Sequence, residues 1–182
     1  MNARKLTTTA ILAGLSLLLE VTVHFPVLPA APFLLYSPGD LPIVMGSFAL
    51  GPGVGAVLAL ITASLFVLIT GKGGPWGGLM HFIAASAFVC VAGLIYRRRP
   101  SWGGAVLGLA CGIIARAAVM VPANLIVTPI YLGVPRAVVV PMILPTIVPF
   151  NLLHSGINSV LFLPLYRALG GFLKKWHRPE AG

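Results

Sequence analysis

LTTTAILAGLSLLLEVTVHF, residues 6–25, is a run of twenty residues with a single charged side chain, Glu20. A helix of that length, rising about 1.5 Å per residue, crosses the ~30 Å hydrocarbon core of a bilayer. Arg4 and Lys5 stand just before it, as in a signal peptide. The run is longer than a signal sequence and lacks a small-residue cleavage site, so it reads as a retained first helix. The remainder of the chain has the same character. Of 182 residues, 58% are hydrophobic and 8% charged, whereas a soluble domain carries roughly a quarter charged. Three acidic residues, Glu20, Asp40 and Glu180, cannot supply a water-facing shell. The expected fold is all-α, an integral membrane bundle.

Six helices are expected, at 6–25, 41–50, 54–70, 79–96, 103–127 and 138–169, within a single membrane domain over 1–182. Between the first two lies VLPAAPFLLYSPGD, residues 27–40; Pro26, Pro29, Pro32 and Pro38 exclude a helix there. Its apolar residues suit a loop folded back on the bundle. Asp40 is placed as an N-cap, with Pro42 inside the first turn. The second helix is short for a span, and GPGVG at 51–55 ends it. GKGGPWGG at 71–78 reads as a turn-rich loop. Pro141, Pro145 and Pro149 interrupt the last run.

With six spans, Arg4, Lys5, Arg97, Arg98, Arg99, Arg167, Lys174, Lys175 and Arg178 fall on one side. Lys72 and Arg136 fall on the other, so the asymmetry of basic residues places both termini in the cytoplasm. The net charge of +9 does not indicate nucleic acid, because the cations form short groups between apolar runs and no extended basic face exists. Cys90 and Cys111 lie in apolar runs and read as small hydrophobes. No CxxC or HxxxH spacing points to a metal, and nothing in the chain calls for a cofactor.

Polar groups inside apolar helices are costly and mark function. They concentrate in the last two runs: Arg116 and Asn124, then Asn151, His154, Ser155, Asn158 and Ser159. Asn151, His154, Ser155 and Asn158 recur at three and four and so share one helix face. Two amides and an imidazole there offer donors and acceptors to a flat heteroaromatic ligand. The competing reading is hydrogen bonding between helices, with Asn158 as its clearest instance. Arg116 is read as a residue near a cytoplasmic helix end that snorkels to the interface. An enzyme is not indicated: adjacent His154 and Ser155 point apart on a helix, and carboxylates are scarce. On the first helix, Ala10 and Gly14 with Ala13 beside them form a small-residue patch suited to close helix approach, inside the bundle or with another membrane protein.

Three segments carry a resemblance to a known family: YSPGDLPIVMGSFALGPGVGAV (36–57), NLIVTPIYLGVP (124–135) and PFNLLHSGINSVLFLPLYRAL (149–169). The chain resembles the substrate-binding S components of energy-coupling factor (ECF) vitamin transporters, most closely the riboflavin-type members. The resemblance implies a multi-pass protein of a prokaryotic cell membrane that binds a vitamin, such as riboflavin or a related flavin, for ATP-driven uptake. It implies partners: a membrane coupling subunit and two cytoplasmic ATPases, in keeping with the lack of a GxxxxGK[ST] motif here. By matching position, it implies substrate contacts at Tyr36 and Asp40 in the first loop and at Asn124, Asn151 and His154. It assigns Ala10, Ala13 and Gly14 to the coupling subunit. Riboflavin-type members carry lysine where this chain has His154, and a neutral imidazole offers one donor and one acceptor in place of a charged ammonium. Another vitamin or small metabolite, a stand-alone carrier or channel, and an assembly protein remain as alternatives.

Overall fold

A computed structural model describes residues 3–29 and 34–170. Among these residues the chain forms six helices. They are α1 (Ala3–Thr22), α2 (Asp40–Leu50), α3 (Pro52–Thr70), α4 (Gly74–Arg98), α5 (Trp102–Leu132) and α6 (Arg136–Ala168). All except α2 are long and apolar enough to cross a membrane. Many of their large hydrophobic side chains face outward, Leu68, Leu144 and Val160 among them. In water such an exterior would be unstable; in lipid it is the solvent-facing surface. Three threonines of α1 return their hydroxyls to carbonyls one turn back, Thr7 to Ala3 at 3.0 Å, Thr9 to Lys5 at 2.8 Å and Thr22 to Leu18 at 2.7 Å.

The short helix α2 is the centre of the bundle. Nine of its eleven residues are buried, so protein on all sides satisfies what lipid would otherwise meet. Its Ile43, Val44, Met45 and Phe48 form the main core with Leu12, Leu58, Phe88, Val89 and Leu109. Ser47 donates to the Val89 carbonyl at 2.7 Å, binding α2 to α4. Gly51 ends α2 at φ 103°, a conformation open to glycine, and Pro52 starts α3.

Helices α4 and α5 form the closest pair. Gly104, Gly108 and Gly112 recur every fourth residue on α5, and a Cβ on them would meet the backbone of Arg99, Ala92 and Phe88 respectively. Such spacing lets two membrane helices pack backbone to backbone. At the Arg97–Arg98 end, Arg167 of α6 lies 4.2 Å over the Trp102 ring.

Several expected boundaries shift. The fourth helix begins at Gly74, not 79, because left-handed Gly73 completes the turn and Pro75 suits the first turn of a helix. The fifth runs on from the expected end at 127 to Leu132, with Pro129 as well as Pro122 inside it. In α6 the prolines at 141, 145 and 149 remove backbone donors, and the helix survives by tightening over Val140–Met142 and widening to a π turn over Ile143–Ile147. The loop after α1 does fold back: Phe25 pairs with Tyr36 and Pro26 with Leu35 in a two-residue antiparallel ladder. Asp40 is not an N-cap. The preceding residue, Gly39, occupies that position, and the Asp40 carboxylate turns inward to α5. Residues 30–33 of the loop, and Lys174, Lys175 and Arg178 of the C-terminal basic cluster, lie outside the described residues.

Candidate functional site

A cavity of about 450 Å³ opens at the end of the bundle away from Arg97 and Arg98. Leu34 and Leu35 of the loop cover one side. Most of its wall is apolar or aromatic: Trp76 and Met80 from α4, Met120 and Tyr131 from α5, Ile147 and Phe150 from α6. Its polar groups are few: His81, Arg116, Asn124, Thr128, Asn151 and His154. A concave, mainly apolar pocket of about 300–1,000 Å³ with a few convergent polar groups is the usual form of a small-molecule site.

Each amide is held by two partners and left with capacity to spare. Asn124 donates to the Met120 carbonyl at 2.7 Å and accepts from Thr128 Oγ1 at 2.9 Å. Asn151 donates to the Ile147 carbonyl at 2.9 Å, on the last residue of the π turn, and its Oδ1 accepts from Arg116 Nε at 3.1 Å. A primary amide has two donors and two acceptor lone pairs, so both residues retain groups for a ligand. The proline-broken start of α6 thus sets the aim of Asn151.

Arg116 does not snorkel. It is 4% exposed, and its Nη1 donates to Asp40 Oδ2 at 2.6 Å. Arg116 stands 14 residues past Trp102, or about 20 Å along a helix, too far for a guanidinium to reach the end of α5. The Asp40 carboxylate from α2 neutralises it, and Asn151 from α6 takes a second guanidinium hydrogen. One cation therefore joins α2, α5 and α6 beneath the cavity. His154 Nδ1 lies 3.4 Å from the same Asp40 oxygen, and the His154 ring packs between Tyr36, at 5.2 Å, and Phe150, at 5.6 Å.

Of the sequence-predicted residues, Asn124, Asn151 and His154 line the cavity together. Tyr36 and Asp40 stand behind its wall, 3% and 1% exposed; they support His154 and Arg116. Burial and the nearby Asp40 charge push the Tyr36 phenol above its ordinary value, so it stays protonated. Asn158 is structural as read, donating to the Ser37 and His154 carbonyls at 3.1 and 3.0 Å. On α1, Ala10 and Gly14 face outward while Ala13 is buried against the bundle.

Sequence reading missed the contribution of α4. Trp76 sits in a glycine-rich stretch that reads as a loop, and His81 is an isolated polar residue whose partner, Glu20, lies on α1 at 2.9 Å. The available signal was the spacing of Gly77, Met80, His81 and Ala84, one face of a helix. Among the described residues, no group of three or more histidine, cysteine or acidic side chains is placed to hold a metal.

Fold and cavity together define a multi-pass membrane protein built to hold one small molecule. The chain belongs to the ECF transporter family, substrate-specific component, whose sequence profile matches residues 4–166. It is 28% identical to the Riboflavin transporter RibU of Staphylococcus aureus (strain TCH60) over 94% of this chain and 93% of the relative. It is 32% identical to the Riboflavin transporter RibU of Streptococcus thermophilus (strain ATCC BAA-250 / LMG 18311) over 96% and 86%. Among solved structures, the S component of a bacterial ECF transporter superposes with a TM-score of 0.80 at 28% identity, over 94% of this chain and 98% of that one.

Proposed function

We propose that this S component binds riboflavin or a closely related flavin and delivers it for ATP-driven uptake. The observation that supports this most is the cavity: about 450 Å³, walled by Trp76, Met80 and Phe150, with the amides of Asn124 and Asn151 and the imidazole of His154 among its few polar groups, a lining suited to a flat heteroaromatic ring. The names of its relatives, both riboflavin transporters, point the same way. The chain carries no catalytic centre in this reading; it binds and presents.

Both termini are assigned to the cytoplasm. The ends of α1, α4 and α6 bearing Arg4, Lys5, Arg97, Arg98 and Arg167 lie at one end of the bundle, and Lys72 and Arg136 at the other. The excess of positive charge belongs inside, so the cavity opens outward to collect its ligand. The partners are a membrane coupling subunit and two cytoplasmic ATPases. Ala10 and Gly14, small and outward-facing on α1, give the coupling subunit a surface for close approach, with Ala13 setting the helix against the bundle.

Proteoliposomes test this directly. Uptake of labelled riboflavin is expected only when the coupling subunit, both ATPases and ATP are present. An Ala10→Leu/Gly14→Leu variant is expected to reduce uptake to background and to lose the coupling subunit on purification, while riboflavin affinity stays unchanged. Uptake by the chain alone would establish a stand-alone carrier instead.

A further inference from the structure

The structure points to a further specificity-determining contact. Resting on the flavin reading of the cavity, we propose that His81 binds a hydroxyl of the ligand's polyol side chain, with Glu20 as its positioning residue. His81 lines the cavity from α4. Its Nδ1 lies 2.9 Å from Glu20 Oε1, while its Nε2 is buried with no partner among the described residues.

The two nitrogens have different tasks. A carboxylate only accepts hydrogen bonds, so the contact to Glu20 places the hydrogen on Nδ1 and leaves Nε2 for something else. Glu20 is itself 4% exposed and has little room to turn. A Cβ on Gly39 would fall 3.0 Å from the Glu20 Cβ, and Ser16, one turn earlier on α1, donates to the Gly39 carbonyl at 2.6 Å. The first helix thus holds the imidazole in one orientation.

A hydroxyl is the group that fits Nε2 best. It donates to a neutral imidazole and accepts from a charged one, so it satisfies the nitrogen in either state. A ring carbonyl or ring N–H does so in only one. The amides of Asn124 and Asn151, which pair donors with acceptors, suit the edges of a flat ring. The hydroxylated chain is then left for His81.

Two probes separate ring from chain: riboflavin, and lumiflavin, which has the same ring with a methyl group in place of the ribityl chain. His81→Asn retains an amide donor for Glu20 and has no atom at the Nε2 position. It is expected to weaken riboflavin about tenfold, the size of one hydrogen bond, and to leave lumiflavin unchanged. His81→Gln, whose longer amide reaches the Nε2 position, is expected to restore riboflavin. Glu20→Gln, which can donate to Nδ1 and so frees the tautomer, is expected to lower the preference for riboflavin over lumiflavin, and that ratio decides the matter if His81→Asn does not fold. Equal losses on both flavins, or an unchanged riboflavin affinity, would overturn the assignment. A wild-type chain that binds neither flavin would instead remove the flavin reading and this contact with it.

Discussion

Replacing Arg116 with leucine is expected to destabilise the protein by about 3–5 kcal/mol, the usual cost of leaving one partner of a buried ion pair alone. Asp40 is 1% exposed, and Arg116 Nη1 at 2.6 Å is its principal counter-charge. The change also strips Asn151 Oδ1 of its donor. The remaining neighbour, His154 Nδ1 at 3.4 Å, is too distant to replace a guanidinium. The loss is read as a lowered midpoint of thermal unfolding in detergent. An Asp40→Leu/Arg116→Leu double variant is expected to recover a large part of it, because the orphaned charge is then gone. A midpoint within experimental error of wild type for Arg116→Leu would show that the pair does not join α2 to α5.

The second large effect is on binding. Asn151→Leu is expected to weaken riboflavin by about 2–3 kcal/mol, roughly 30- to 150-fold in Kd. Two losses combine: the cavity forfeits an amide, and Arg116 Nε, 3.1 Å from Oδ1, loses the acceptor that holds the guanidinium in place. Asn151 stands one turn past the π segment Ile143–Ile147 of α6 and donates to the Ile147 carbonyl, so its place at the cavity is set by that segment. A titration that separates affinity from unfolding checks this. The variant should fold, since leucine fills a similar volume, yet bind poorly. Wild-type affinity in a folded variant would place the ligand away from α6.

The fold was legible because apolar length is a local property. Runs of about 20 residues declare membrane helices one at a time, and each of the five long helices contains such a run. The face shared by Asn151, His154 and Asn158 was legible for the same reason: helical spacing is written within one segment. What the sequence could not disclose was pairing over distance. Asp40 and Arg116 are separated by 76 positions, and Asp40 at the start of α2 looks like an N-cap when read alone. Arg116 is a different case: its depth along α5 follows from simple rise per residue and excludes the interface. Glu20 counted only as a scarce acid until the fold brought His81 to it. The start of α4 was obscured by glycine, because Gly73 and Gly74 both take positive φ and only the next residues commit to a helix.

The flavin-binding cavity is tested most directly by titrating riboflavin into the purified chain and following flavin fluorescence. Quenching with one site per chain and a submicromolar Kd, about −8 kcal/mol or better, is the expected result. No quenching by riboflavin, with tight binding of a vitamin that lacks a flavin ring, would contradict it.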